Sequence, residues 1–448
     1  MKYYIITLLL SIALISSSCK KYLDAKPDQS VTTPSSLDDL DLIIDNYGVF
    51  NARFSALPEL SADNYYLTAA TWNAVNELQH HLYNWQKFDD IPGDWGIPYN
   101  NIYYTNVVLE TLESLDIPPS NQQAAFIKGA TLFIRAYNYY ALAQMFMPAF
   151  DKTTAATDLG LPLRLNADYN EVSFRSSVQQ TWQQIINDIK TALPLLPVMP
   201  IAKHRPSKPA AYAALARTYM SMQEYEKAGQ YADSCLRLYD SLMDYNTINA
   251  AAAIPIAQFN KEVIYDARSG STTALSQANA KVDSALYLTY TNNDLRKTVF
   301  FKSNGNGTFA FKGNYTGQSA AYLFTGIAVD EMYLLRAECN ARAGNTAAAI
   351  NDLNMLMSKR WKTGTFIPFT ASDANEALTL ILTERRKELL FRNLRWTDLR
   401  RLNKEAQWRT TLFRKLNNDI YTLEPEGLRY TFQIDAEVIL RTGMMQNP

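Results

Sequence analysis

AALARTYMSMQEYEKAGQYADSCLRLY, residues 213–239, carries the reading on which the fold depends. Apolar residues recur there at helical spacing, break at Gln223-Glu224, and resume on a second helix. Ala216 and Tyr219 lie on the first helix, Ala228 and Cys235 on the second. The stretch LLRAECNARAGNTAAAINDLNMLMSKR, residues 334–360, repeats the plan with Ala337, a turn at Gly344-Asn345, then Ala349 and Leu353. In both copies the small residues stand twelve apart, Ala216 to Ala228 and Ala337 to Ala349. Small side chains at those places let the two helices of a hairpin approach closely, the device of tetratricopeptide repeats. The expected fold is mainly α: a tetratricopeptide-like scaffold of helical hairpins between Ile97 and Arg401, with long loop-rich insertions carrying a ligand face.

Other segments extend the pattern. A helix over Gly129–Met147 ends before Pro148, one over Val178–Leu193 ends before Pro194, and Pro209 suits the first turn of a helix running to Met222. A further helix is expected from Glu376 to Phe391. Between helices, Tyr65–Asn100, Ala149–Ser177 and Thr247–Ala328 far exceed ordinary connections, and insertions of that length commonly carry function. The third contains Gly305 and Gly307 among phenylalanines, which suits a small hairpin. No strand-to-helix context or following lysine makes them a phosphate cradle.

Composition narrows the classes. The 448 residues are 47% hydrophobic, enough for a large core, and 43 basic residues against 44 acidic give no electrostatic case for nucleic acid. Cys235 and Cys339 fall inside helical patterns and are expected as buried thiols, with a disulfide between them left open. Among the three histidines, His80 and His81 are adjacent and His204 stands alone, so no metal or other cofactor is implied.

The beginning of the chain has its own logic. A basic start, an apolar run from Tyr3 to Ile15 and the small residues Ser16, Ser17 and Ser18 precede Cys19. That order reads as a lipoprotein signal peptide over residues 1–18. Ser16 stands where a bacterial lipoprotein signal prefers leucine. Cys19 is the expected lipidation site, residues 19–36 a polar tether, and residues 37–448 the folded domain. More than one acyl chain, at about 0.8 kcal/mol per buried methylene, holds a protein durably at a membrane. No later stretch suits a transmembrane span, because charge or proline interrupts each apolar run.

An ordered series of segments resembles the SusD/RagB family of outer-membrane nutrient-binding lipoproteins over nearly the whole chain. It comprises SSCKKYLDAKPDQS, then GATLFIRAYNYYALAQMF, with Arg135-Ala136-Tyr137 at its centre, then RPSKPAAYAALARTYM and Arg336-Ala337-Glu338. LTERRKELLFRNLRWTDLRRL and the closing Gln446-Asn447-Pro448 complete it. The chain departs from the family where an acidic-glycine step is replaced by Arg392-Asn393-Leu394, and a Pro-Ile-Pro by Phe432-Gln433-Ile434. The resemblance implies an outer-membrane, cell-surface location and a SusC-like, TonB-dependent transporter as partner. It also implies a captured nutrient oligomer, often a glycan, and structural roles for Glu384, Arg385, Glu388 and Arg400. Glu388 and Arg392 are spaced as an i,i+4 ion pair.

For the ligand, the residues point to ring density. From Tyr65 to Tyr104 there are ten aromatics in forty residues, interspersed with Asn64, Asn73, Asn76, Gln79 and Asp94. Flat rings stack on the C–H faces of sugars, while amides and carboxylates meet hydroxyls, a mixture suited to concave small-molecule sites. Tyr66, Trp72 and Trp95 are the expected platforms, with Asn64 beside them, and Tyr290 on the third insertion, with Tyr287, Tyr315 and Tyr322, supplies the other wall. Two other classes compete. One is a repeat scaffold or peptide-binding homologue without glycan affinity. The other is a hydrolase using Asp89 or Asp90 with Asp94, though no GxSxG or HExxH pattern supports catalysis.

Overall fold

A computed structural model describes residues 34–319 and 321–448. Cys19, the 1–18 leader and most of the 19–36 tether lie outside them. Ser36 caps the first described helix, Leu37–Ile44, through a capping box with Asp39. Eight longer helices build the scaffold: α1 (Pro92–Ser114), α2 (Gln122–Phe146), α3 (Val178–Ala192), α4 (Lys208–Ser221), α5 (Tyr225–Leu236), α6 (Val329–Arg342), α7 (Thr346–Met357) and α8 (Ala374–Glu388). Each packs on its predecessor or on the hairpin before it: α2 on α1 and α3, α4 on α3 and α5, α6 on α5, α7 and α8. This is the mainly α hairpin stack that the small-residue spacing implies.

Local chemistry explains the boundaries. Asn121, Ser177, Ser207 and Asp373 each accept a backbone N–H as helix caps for α2, α3, α4 and α8. Ala216, Ala228, Ala337 and Ala349 are all fully buried between paired helices. Seven residues after Ala216 and Ala337 stand Gln223 and Gly344, both in the left-handed region, at φ 59° and 81°. The two hairpins thus turn the same way, and only the second uses the residue for which that conformation is unstrained. Gly229 lets α5 approach α6, since a Cβ there would lie 2.9 Å from Cys339 Cβ. Cys235 and Cys339 are buried and unpaired, and burial pushes the Cys339 thiol up to about 12. None of the described helices is long and apolar enough to cross a membrane.

Three details differ from the sequence reading. The Tyr65–Asn100 stretch is largely helical, with short helices at Ala69–Ala74 and Glu77–Tyr83, and α1 already begins at Pro92, taking Pro98 into its early turns. The last scaffold helix stops at Glu388, because Phe391 and Asn393 adopt φ 55° and 61°. Consequently Glu388 and Arg392 do not pair. Arg392 turns to Asp330, 2.8 Å away, and lies 3.6 Å above the Tyr315 ring. Asparagine tolerates the left-handed region better than most residues, which suits Asn393 to this turn. Its amide accepts from Glu59 N and donates to Ser55 O, which anchors the turn.

Among the described residues ten short strands form five antiparallel pairs: β1 (Tyr65–Tyr66) with β5 (Lys281–Val282), β2 (Leu159–Pro162) with β3 (Arg175–Ser177), β4 (Val263–Tyr265) with β8 (Ile327–Ala328), β6 (Phe301–Ser303) with β7 (Phe309–Phe311), and β9 (Leu412–Leu416) with β10 (Asp419–Leu423). The β6–β7 pair is the small hairpin of the third insertion, and Gly305 and Gly307 turn it at φ 81°.

A buried ionic seam fastens that insertion to the end of the scaffold. Arg296 reaches Asp294 at 2.7 Å, Glu384 at 2.5 Å and Glu388 at 3.1 Å. Arg360 reaches Glu388 at 2.7 Å and Glu262 at 2.8 Å. Lys387 joins Glu384 at 2.8 Å, and Tyr315 donates to Glu262. No charged member of the seam, Asp330 and Arg392 included, is more than 5% exposed. Burial pushes the Glu262 carboxyl up while Arg360 pulls against it. Such pairs cost desolvation, and removing one partner strands the other. Glu384 and Glu388 are therefore structural here, as are Arg385, 2.9 Å from Asp398, and Arg400, which caps carbonyls at the end of α2.

Candidate ligand-binding face

The pairing of β1 with β5 brings the first and third insertions together. Tyr65 lies opposite Val282 and Tyr66 opposite Lys281, and Asp283 N donates to Asn64 O at 2.9 Å. Alternation along a strand then sorts the side chains. Tyr65 and Val282 point inward and are buried, while Tyr66 and Lys281 are half-buried on the outer side. Gln79 Nε2, donating to Thr272 Oγ1 at 3.1 Å, adds a second tie between the insertions.

Beyond β1, Thr68 caps the helix bearing Trp72 and Asn76 caps the next one, bearing His80. These turns set the Trp72 and His80 rings 4.5 Å apart at a tilt of 32°. His80 Nε2 donates to the Trp72 carbonyl, which fixes the imidazole against the indole. Trp72 remains half-buried, and its Nε1–H has no partner among the described residues. On the other side, β5 lies beside β7. There Tyr287 and Phe309 stack with centroids 3.6 Å apart at 15°, Phe301 meets Tyr287 edge-on, and Lys297 Nζ lies 5.4 Å from the Tyr287 centroid. Tyr66, Trp72, Tyr287 and Phe309 thus present partly exposed rings from two segments joined by β1–β5, with Lys281, Lys297 and His80 as polar neighbours.

Four residues expected in the site, Asn64, Trp95, Tyr290 and Tyr315, do not belong to it. Asn64 is 1% exposed because its amide donates to the buried Glu59 carboxylate at 2.7 Å. Tyr290 is 1% exposed: its hydroxyl donates to Lys387 O at 2.8 Å and its ring lies under Arg296 and Lys387, so it belongs to the ionic seam. Tyr315 is fully buried in the same seam, and Tyr322 is half-buried 4.8 Å from the Arg268 guanidinium. Trp95, 5% exposed, stacks on Tyr99 and meets Phe146 at the start of α1. Its remaining edge lines a separate cleft of about 260 Å³ with Tyr99 and Tyr103.

Sequence reasoning did not single out Lys281 or His80. Lys281 gains its place from a two-residue strand, and His80 from a helix turn that the loop reading omitted. Asp89 and Asp90 are exposed. Asp94 is partly covered, and burial pushes its carboxyl up to about 6 against a hydrogen bond from Ser55. Among the described residues no three His, Cys, Asp or Glu side chains gather as metal ligands would.

Stacked helical hairpins with a face made by their insertions define the class: a tetratricopeptide-like repeat protein of the SusD type. The profile of the SusD family matches residues 165–439, and one described as starch-binding, associating with outer membrane, matches residues 21–220. The chain belongs to the SusD family. No curated protein matches it in sequence. Among solved structures it is similar to a SusD superfamily protein from Bacteroides thetaiotaomicron, with a TM-score of 0.75 and 21% identity over 92% of this chain and 100% of that one. A SusD-like carbohydrate binding protein from Bacteroides vulgatus gives 0.69 and 19% over 92% and 97%. A laminarin binding SusD-like protein gives 0.65 and 18% over 91% and 97%.

Proposed function

We propose that this protein is a lipid-anchored, cell-surface protein of the outer membrane that binds an oligosaccharide and passes it, unaltered, to a SusC-like TonB-dependent transporter. One observation carries the ligand reading: β1–β5 unites the ring-bearing segments, so that Tyr66, Trp72, Tyr287 and Phe309 lie half-buried, packed enough to be rigid and open enough to stack. Rigid rings with a few polar groups suit a sugar polymer, whose apolar faces need flat partners and whose hydroxyls need donors and acceptors. Family membership supports the transporter partnership and the membrane location, and Cys19 supplies the acylation site.

Calorimetry against a glycan panel that includes laminarin tests the ligand reading. Trp72→Ala and Tyr287→Ala are each expected to weaken the bound glycan about tenfold or more, the scale of losing one stacking platform of 1–3 kcal/mol. Equal affinity in both variants removes the face, and binding of peptides in place of any glycan overturns the substrate class. For the anchor, metabolic labelling with a palmitate analogue should mark the wild-type protein, and Cys19→Ala should release it from the membrane fraction. Co-purification of a barrel transporter checks the partner.

A further inference from the structure

Strand β9 breaks its own pattern once. Leu412, Arg414 and Leu416 share its inward side and are buried, while Phe413 and Lys415 face solvent. An arginine thus stands in a leucine register, only 5% exposed. A charge buried in that way is costly unless it is bonded. Its bonds go to carbonyls on and just before β1: Nη1 donates to Tyr65 O at 3.0 Å, and Nη2 to Ala62 O at 2.5 Å and Leu60 O at 3.4 Å. Rings enclose the same guanidinium, which lies 3.8 Å from the Tyr83 centroid, 4.9 Å from Tyr65 and 5.2 Å from Trp85.

The register of β1 shows what this arrangement achieves. Asp283 N donates to Asn64 O, and hydrogen-bonded positions alternate along an antiparallel ladder. Tyr66 and Lys281 therefore form the next bonded position, and Tyr65 and Leu67 turn their backbone groups away from β5. Among the described residues no strand pairs with that second edge of β1. Two side chains close it instead. Arg414 takes Tyr65 O, and Tyr83 Oη accepts from Leu67 N at 2.9 Å.

Those two atoms belong to the peptide groups on either side of Tyr66. Holding both fixes the backbone angles of Tyr66 and with them the direction of its half-buried ring. Arg414 lies against Tyr83, so the two grips act as one unit. Tyr83 is 1% exposed and Arg414 5%, which leaves both behind the ring face and out of reach of a ligand. We propose that Arg414, acting with Tyr83, is the positioning residue that sets Tyr66 as a ligand platform. This deepens the proposed function and rests on its ring face.

Hydrogen exchange on the full chain tests the clamp without any ligand. Arg414→Met keeps the length of the side chain but none of its donors, and Tyr83→Phe removes a single hydroxyl. Each should speed exchange in the peptide spanning 64–68 about five- to tenfold, the worth of one hydrogen bond, with α4 and α5 unchanged. Equal acceleration throughout the chain in both variants, or none at 64–68, overturns the inference. Calorimetry with the glycan panel, laminarin included, then reads the platform through a double-mutant cycle. In a Tyr287→Ala background, Arg414→Met should weaken the bound glycan by about a further fivefold, again one hydrogen bond's worth. In a Tyr66→Ala background it should change little, because the ring through which it acts is gone. Equal losses in both backgrounds make Arg414 a residue of the fold alone and overturn the inference while the proposed function stands. Should wild type bind no glycan, the proposed function falls, and the exchange at 64–68 alone decides whether Arg414 and Tyr83 clamp Tyr66.

Discussion

Arg296 and Tyr287 stand nine residues apart in the third insertion, yet their surroundings are opposite. Arg296 is fully buried and shares its guanidinium among three carboxylates. Tyr287 is half-buried, with Phe309 on one face of its ring and Lys297 nearby. The difference teaches how to read the two residue types in this chain. Its charges, when buried, hold the insertion to the scaffold, and its rings, when left half-open, are the surface that scaffold presents. Tyr290 confirms the division from the other side, since an aromatic placed against Arg296 and Lys387 becomes part of the seam.

The sharpest way to break this division is to cut the seam. Glu388 serves both Arg296 and Arg360, so Glu388→Ala takes one carboxylate from each of two buried guanidinium groups, which keep Asp294, Glu384 and Glu262, and should cost about 3 kcal/mol or more, read as a lower midpoint in denaturant. Loss of glycan binding should follow only where the fold is lost. A smaller effect is expected at Glu59, the buried carboxylate that holds Asn64 just before β1 and meets the Asn393 N–H at 3.1 Å. Burial pushes this carboxyl up from 4.5 to about 7, against the hydrogen bond from Asn64. Between those values the folded chain keeps a proton that the unfolded chain releases, so stability falls as pH rises, by about 3 kcal/mol once Glu59 is fully ionised. Glu59→Gln lacks that titration, so the stability of wild type relative to the variant should decrease from pH 5 to pH 8. An increase would refute the assignment.

Backbone geometry offers finer tests. Asn393→Ala removes two side-chain hydrogen bonds at φ 61° and should cost about 2 kcal/mol by thermal unfolding. Gln223→Gly should do the opposite, stabilising by about 1 kcal/mol, because it gives the first hairpin the residue that the second has at Gly344. The smallest change is expected on the ring side. Thr68→Ala removes the cap of the Trp72 helix, costs about 0.5–1 kcal/mol at most, and should appear as a shift in Trp72 emission with little change in the global midpoint. A large drop in the midpoint would mean that the ring-bearing turns support the fold after all.

The hairpins α4–α5 and α6–α7 were legible because close packing of two helices needs small residues in register, and Ala216, Ala228, Ala337 and Ala349 print that need directly. Ring density marked two segments, but their union was not legible: β1 and β5 are two residues each, too short for an alternating pattern, and their partners lie 215 and 217 positions apart. Nor could spacing separate Tyr287 from Tyr290, because what buries Tyr290 is charge from α8. Asn64 is hidden from its sequence for a similar reason, since Glu59 turns its amide inward. The Glu388–Arg392 pair failed because helical spacing has meaning only while the helix continues, and Phe391 and Asn393 end it.

The β6–β7 hairpin turns through Gly305 and Gly307, neither of which has a neighbouring atom where a Cβ would be. A tip with that much clearance tolerates longer, shorter or differently decorated versions, and Phe309 rides on its returning strand. Changes confined to that hairpin end can therefore reshape the surface around Phe309 while leaving the helical stack behind it untouched.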